Sequence, residues 1–280
     1  MRIEQGQVAV VTGGASGIGF ALGAALSSRG ITVVLADIEA QALAAAEKRI
    51  ESTNTVTTAV CDVSDAGSVK ALRQTVLERH GRIDWVFNNA GVVLPFKPMW
   101  EHTQTDWEWI MGVNLWGVIN GIREFVPGFV QQGTGHVVNT ASMAGVTVVP
   151  FNGAYNATKH AVISLTETLA VELAQTAPGV RASVICPGLV PTQIGQAARN
   201  RPGGEQPEPP EPSEAASNVV DDHSHANVIT AELLAARVLK ALEVDRLYIF
   251  PNPGSDAPVE ARLDRLRQDL TTSGLEAARA

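Results

Sequence analysis

Short runs of β-branched residues alternate along this chain with longer alanine- and leucine-rich stretches whose apolar positions recur at helical spacing. The short runs cover residues 8–11, 32–36, 55–61, 85–88, 136–140, 181–185 and 247–250. Between them the spacing predicts helices over 17–28, 40–52, 66–80, 105–131, 154–175 and 230–243, with a more polar one over 258–270. Strict alternation of strand and helix is the pattern of a parallel sheet whose faces are both covered by helices, an α/β architecture with doubly wound connections.

One segment departs from this rhythm. Residues 201–217 are rich in proline and glutamate, too polar to bury a core. They are expected to be mobile inside a substrate-loop insertion spanning 193–226, which follows a strand end where ligands bind in such sheets. A lid over the substrate and a solvated insertion both fit that placement. The remainder reads as a single domain over 1–280 with a C-terminal extension over 256–280.

Composition narrows the partners. A net charge of -8 and a pI near 5.3, with basic residues scattered, argue against nucleic acid or an anionic membrane. No apolar run approaches the roughly 20 residues of a membrane span, and the first residues lack a signal-peptide hydrophobic region, so a cytoplasmic location is expected. Cys61 and Cys186, both at strand ends, are expected to be reduced core residues. His80, His102, His136 and His160 are dispersed; only His223 and His225 lie close together, near Asp221 and Asp222, and no metal site is expected.

The turn after the first strand carries candidate chemistry. Thr12-Gly13-Gly14-Ala15-Ser16-Gly17-Ile18-Gly19 opens the first helix, where glycines let backbone approach a pyrophosphate and the helix N-terminus offers N–H groups and positive dipole. Gly13, Ser16, Gly17, Ile18 and Gly19 are therefore candidate cofactor residues. Asp37, just past the second strand and eighteen residues after Gly19, can accept hydrogen bonds from adenosine ribose hydroxyls and would repel a 2′-phosphate. No lysine or arginine stands at positions 14, 15, 16 or 38 to offset it, which favours NAD over NADP. Asp62-Val63 and Asn88-Asn89-Ala90-Gly91 follow the third and fourth strands along the same edge, as an adenine pocket and a floor for the cofactor's centre.

Tyr155 and Lys159 are four residues apart on a predicted helix and share one face. A free tyrosine has a pKa of about 10, and a neighbouring ammonium is expected to lower it, making Tyr155 a general acid/base. Ser142 lies upstream at the end of a strand. With the glycine turn, these residues describe a hydride-transfer site.

Together these motifs resemble the classical short-chain dehydrogenase/reductase family over nearly the full chain: the turn from Thr12 to Gly19, Asp62, Asn88 to Gly91, Asn114, Ser142, the Tyr155/Lys159 pair, and Pro187-Gly188 with Thr192. The resemblance implies a seven-stranded Rossmann sheet and assembly into homodimers or homotetramers through the helices holding Asn114 and Tyr155. It implies a catalytic tetrad: Tyr155 exchanging the alcohol proton, Ser142 bonding the reacting oxygen, Lys159 lowering the tyrosine pKa and holding the nicotinamide ribose, Asn114 anchoring a water. It also implies that Val190 and Thr192 hold the nicotinamide carboxamide. Thr140-Ala141-Ser142 departs from the two consecutive serines frequent in the family, but Ser142 is retained.

Val92, Val93, Leu94, Met143, Ala144, Val148, Val149, Phe151 and Leu189 are the expected pocket walls, nearly all apolar, with no arginine or lysine placed to clamp a carboxylate or phosphate. A secondary alcohol or ketone with a hydrophobic body is the expected substrate. Segments 111–121, 192–202 and 247–251 further resemble bacterial aryl-ether Cα-dehydrogenases, which oxidise benzylic secondary alcohols. A steroid, cyclic-alcohol or dihydrodiol dehydrogenase fits the same motifs, and a dinucleotide-sensing protein without turnover is the alternative from another class.

Overall fold

Every expected strand joins one seven-stranded, all-parallel sheet with the order β3-β2-β1-β4-β5-β6-β7. The computed structural model describes residues 2–50, 55–203 and 227–277. The strands are β1 (Val8–Thr12), β2 (Thr32–Asp37), β3 (Val56–Val60), β4 (Trp85–Asn88), β5 (Gly135–Thr140), β6 (Val180–Ile185) and β7 (Tyr248–Ile249). The helices are α1 (Gly17–Ser27), α2 (Ala40–Arg49), α3 (Ala66–His80), α4 (Gln104–Met111), α5 (Gly117–Gln132), α6 (Gly153–Thr176), α7 (Ala231–Leu242) and α8 (Asp256–Ala277).

Residue alternation divides the core between the two faces. On β1, Ala9 and Val11 join a layer with Leu22 and Leu26 of α1 and Leu234, Val238 and Leu239 of α7, while Val8 and Val10 face Val69, Leu72, Phe125, Phe129 and Leu173 on α3, α5 and α6. Such two-sided burial explains why the strands read as near-continuous apolar runs. From β1 the chain winds outward to β3, then returns to place β4 on the other side of β1. That reversal opens a crevice at the carboxyl ends of β1 and β4, the place where open α/β sheets bind ligands.

Three boundaries differ from expectation. The predicted helix over 105–131 is interrupted by a π-helical turn, Gly112–Trp116, between α4 and α5. The wider turn lets Asn114 face the β4 loop while Gly117 still packs on Val63, where a Cβ would lie 2.7 Å from Val63 Cγ2. Strand β7 is only two residues long, registered to β6 by Val184 with Tyr248 and Ile185 with Ile249, because as an edge strand it has one neighbour and Pro251 follows. The last helix is longer at both ends than predicted. The proline-rich stretch expected to be mobile lies outside the described residues from position 204 onward, as do His223 and His225; the described part of the insertion, up to position 203, begins with a short 3₁₀ segment, Gln193–Asn200.

Candidate active site

The glycine turn is shaped by close contact with the β4 loop. Gly13 has φ +64, and a Cβ there would meet Ala90 Cα at 2.9 Å; one on Gly19 would lie 2.1 Å from the Gly13 carbonyl oxygen. Only glycine fits either place. Thr12 stitches the two loops together: its hydroxyl donates to the Phe87 carbonyl and accepts from the amides of Asn89 (2.9 Å) and Ala90 (3.1 Å), while Asn89 Nδ2 donates to Thr12 O. Ser16, the N-cap of α1, makes no side-chain cap bond, and no acidic residue occupies the first turn. The opening amides of α1 and its positive dipole thus face the crevice without an internal anion, a fit to a pyrophosphate. Ile18 packs against the core behind them.

Asp37 closes β2 beside this turn, its carboxylate accepting from the amides of Ala15 (3.1 Å) and Glu39 (3.2 Å). Burial pushes its pKa up, against the lowering effect of those two amides. Asp62 is tied by Ser64, whose amide and hydroxyl both donate to Asp62 Oδ1, and the Val63 carbonyl accepts from Asn120 Nδ2 at 2.9 Å. Gly91 lies between the Asn114 carboxamide and the Lys159 ammonium: a Cβ placed on it would be 3.5 Å from Asn114 Oδ1 and 3.6 Å from Lys159 Nζ.

The four expected catalytic residues converge on the same sheet edge. Ser142 follows β5; its hydroxyl accepts from the Ala144 amide at 3.1 Å and donates to the Pro187 carbonyl at 3.4 Å, close enough to Tyr155 to favour its charged form. Lys159 is buried, and Nζ donates to the Thr140 carbonyl at 2.8 Å while standing 5.5 Å from the centre of the Tyr155 ring. Asn114 bridges Val92 N and O at 2.8 and 2.9 Å and reaches Thr158 Oγ1 at 3.3 Å. Thr158 in turn donates to the Tyr155 carbonyl. Asn114 is therefore a brace between the π turn, the β4 loop and α6, with its side chain committed to protein partners.

The expectation that Lys159 brings the Tyr155 pKa down requires correction in this arrangement. Burial pushes the phenol above its ordinary value, with the Ser142 hydrogen bond opposing the rise. The lysine ammonium is directed at a backbone carbonyl rather than at the phenol, and burial lowers its own pKa to about 8. Cys186 is pushed up to about 12 by burial; like Cys61 it is a free, buried thiol, as expected.

The loop after β6 is placed by a residue that the sequence did not single out. Asn252 accepts from the Gly188 amide at 2.8 Å and donates to the carbonyls of Leu189 (3.0 Å) and Asn227 (2.7 Å). Pro187 is buried, Val190 packs on the core, and Thr192 N-caps the following segment by accepting from the Ile194 amide. Thr12 and Asn252 support the site through bonds to the backbone of distant segments, and Thr140 and Thr158 through side-chain bonds to Asn89 and Asn114, which leaves no local signature in the chain.

Among the expected pocket residues, Leu94 and Val92 are buried in a cluster with Ile110, Ala154 and Ala197 against the Tyr155 ring. Val93, Met143, Val149 and Phe151 are half-buried, Ala144 is buried, and Val148 and Leu189 are exposed. Phe151 has φ +60, a left-handed conformation costly for an aromatic residue, and its carbonyl accepts from the Lys97 amide. Among the described residues Lys97 and Arg201 come near this side, both paired to Asp106 at 3.3 and 2.6 Å, and Arg262 donates to the Val146 carbonyl at 3.1 Å. Burial opposes ionisation of Asp106, yet the Thr103 amide, Arg201 and Lys97 outweigh it and hold the carboxyl well below the usual range.

Residues 7–203 match the short chain dehydrogenase family. Similarity extends over most of the chain to a short chain dehydrogenase/reductase from Burkholderia phymatum solved in complex with NAD, which is 37% identical, superimposes with a TM-score of 0.89 and covers 96% of this chain and 97% of that one. A 1-deoxy-11-beta-hydroxypentalenate dehydrogenase of Streptomyces arenae is 37% identical over 92% of this chain and 86% of its own length. A C alpha-dehydrogenase of a Sphingobium species is 34% identical over 90% of this chain and 83% of its own.

Proposed function

The chain belongs to the short-chain dehydrogenase/reductase family, and on that premise we propose that it interconverts a hydrophobic secondary alcohol and its ketone with NAD, using Tyr155 as general acid/base. The observation that carries the reading is the convergence of Ser142, Tyr155 and Lys159 beside a glycine turn that admits no larger residue at Gly13 or Gly19.

A bound nicotinamide supplies the two-electron acceptor for oxidation or donor for reduction. The protein's part is orientation and proton movement. In oxidation Tyr155 Oη takes the hydroxyl proton of the alcohol; in reduction it returns one to the carbonyl oxygen. Ser142, whose hydroxyl lies near Tyr155, would bond the same reacting oxygen. Burial favours the protonated phenol, so the base form depends on positive charge reaching the phenol itself; Lys159 Nζ, 5.5 Å from the ring centre, is engaged with the Thr140 carbonyl in this arrangement. Asn114 and Thr158 fix the start of α6 and hence the phenol.

Asp37 supports NAD over NADP, since its carboxylate faces the position of the adenosine ribose and retains unused acceptor capacity. Arg199 also reaches this edge of the crevice, but it is held by Glu39 at 2.6 Å and so is not free to receive a 2′-phosphate. The apolar walls, with Lys97 and Arg201 both tied to Asp106, support a substrate without a carboxylate or phosphate. Similarity to a C alpha-dehydrogenase supports a benzylic alcohol within that class. Exposed Trp116 on the π turn and Val171 on α6 support assembly into a homodimer or homotetramer through those helices.

The test is NADH formation from NAD and a panel of benzylic, alicyclic and steroid secondary alcohols, repeated with NADP and with Tyr155→Phe. Turnover by the native chain alone, faster with NAD, is the expected result. NAD binding without turnover of any alcohol would move the assignment to a dinucleotide-sensing protein.

A further inference from the structure

Two arginines flanking Asn200, Arg199 and Arg201, anchor the segment after Thr192 to opposite banks of the crevice. Arg199 forks onto Glu39, Nη2 to Oε1 at 2.6 Å and Nε to Oε2 at 3.2 Å, and Asn200 Nδ2 adds a bond of 2.9 Å to the same carboxylate. Glu39 precedes α2, two residues past Asp37, on the ribose bank. Arg201 bonds Asp106 Oδ1 at 2.6 Å and Thr105 Oγ1 at 3.2 Å, and its guanidinium lies 5.6 Å from the centre of the Trp109 ring. These partners are on α4, the substrate bank.

Between Thr192 and the two anchors the 3₁₀ segment kinks at Gln196 (φ -102, ψ 15), and the next residue, Ala197, turns inward. Most of the segment is exposed, but Ala197 is only 5% exposed and belongs to the apolar cluster of Val92, Leu94, Ile110 and Ala154, against which Trp109 and Tyr155 also pack. At the near end Thr192 lies over the glycine turn, its Cγ2 3.0 Å from where a Cβ of Gly17 would be. A strap thus crosses the crevice from one carboxylate to another and pushes one small side chain into the apolar cluster beside the proposed acid/base.

We infer that Ala197 is a specificity-determining residue that sets the width of the substrate pocket, and that Glu39 and Asp106 are positioning residues that seat it by holding Arg199 and Arg201. Its role in selectivity rests on the dehydrogenase reading; the seating of the strap does not. A branched side chain at this point has to push the cluster apart, so Ala197→Leu is expected to narrow the pocket and Ala197→Gly to widen it. Because Arg199 and Arg201 pull toward different banks, loss of either anchor is expected to loosen the same residue.

The first arm of the experiment needs no turnover. In the full chain carrying Ala197→Cys, the labelling rate with a disulfide thiol reagent is compared with that of the denatured chain, the native buried thiols of Cys61 and Cys186 giving the background. At least tenfold protection is expected, reduced at least threefold by adding Arg201→Gln or Glu39→Gln. Arg201→Gln leaves the Thr103–Asp106 capping box of α4 intact, so a gain in labelling with an unchanged melting temperature reports the strap and not the helix. Equal labelling in the folded and denatured chain, or no response to either anchor variant, would overturn the seating. In the second arm, kcat/KM for para-alkyl phenyl carbinols relative to 1-phenylethanol is expected to fall at least tenfold in Ala197→Leu and to rise in Ala197→Gly, with the Kd for NAD unchanged. An unaltered size preference in both variants overturns the specificity role while leaving the dehydrogenase in place; silence of the native chain on every alcohol overturns the dehydrogenase and the pocket role together, with the labelling still deciding the strap.

Discussion

Asn114 holds Val92 by both of its backbone polar groups, accepting from its amide and donating to its carbonyl at 2.8 and 2.9 Å. The pair joins the π turn to the loop that follows β4, at a fully buried point. Asn114→Ala would leave a buried N–H and C=O without that partner, at a cost of about 1–3 kcal/mol. A fall in melting temperature of about 2–4 °C per kcal/mol is expected for a domain of this size, together with reduced turnover as Thr158 and Tyr155 lose their brace. Calorimetry and kinetics on the same preparation check both, and an unchanged melting temperature would remove the brace from the account.

Tyr155→Phe removes the proton-transfer hydroxyl and leaves the ring. Turnover should fall by about 10²–10⁴ in kcat, while the Kd for NAD, read by titration calorimetry, stays close to that of the native chain. Substantial retained turnover would rule out Tyr155 as the acid/base.

Asp37→Ala should narrow the preference for NAD over NADP about tenfold or more, since a hydrogen bond to a charged group contributes about 1.5–3 kcal/mol. The comparison is the ratio of kcat/KM values for the two cofactors. Because Arg199 stays engaged with Glu39, Asp37→Ala combined with Glu39→Gln should shift the ratio further toward NADP than the single change. If the ratio ignores both substitutions, selectivity lies elsewhere on the ribose bank.

Direction of reaction should reverse the pH response. Oxidation needs the deprotonated phenol, which burial makes scarce at neutral pH, so kcat/KM for the alcohol should rise as pH increases from 6 toward 9. Ketone reduction needs the protonated phenol and should hold or fall over the same range. Parallel pH profiles for the two directions would argue against a single titrating acid/base.

His136, buried on β5 and stacked on Trp85 with ring centres 4.9 Å apart, has its pKa lowered to about 3 by burial. In the unfolded chain a histidine titrates near 6.5. Between those values the unfolded state binds the extra proton, so the stabilisation is fully present above about pH 6.5 and is lost as pH falls toward 3, by at most about 1.4 kcal/mol per pH unit. His136→Gln should lower stability at neutral pH and flatten its decline between pH 6 and 4, as followed by melting temperature. An unchanged slope would place the acid sensitivity in other groups.

What could be read from the sequence was whatever is written locally. The strand and helix alternation, the glycine turn before α1, Asp37 at a strand end, and the Tyr155/Lys159 spacing on one helix face all depend on neighbours within a few residues, and the structure places each near its expected position. The π turn was not legible because nothing in the sequence from Gly112 to Trp116 forbids an ordinary helix; only the tie from Asn114 to Val92 and the contact of Gly117 with Val63 select it. Asn252, the Glu39–Arg199 fork and the Asp106–Arg201 pair were hidden for the same reason, since each joins segments about 60–160 residues apart. The Tyr155 pKa was misjudged because helical spacing fixes which face Lys159 shares but not which acceptor its ammonium chooses.

The π turn also makes the reading frame of the helix part of the site. One residue advances an α-helix by about 100°, and the wider π turn absorbs one extra residue, so loss of a single codon within Gly112–Trp116 would let α4 and α5 run on as one regular helix with the faces of α5 nearly where they are now. Phe125 and Phe129, which belong to the core under α5, would keep their places while Asn114 lost the wide turn that carries it to the β4 loop. Packing would then outlast a deletion that removes the brace of the site, so the extra residue of the turn serves the chemistry and not the core.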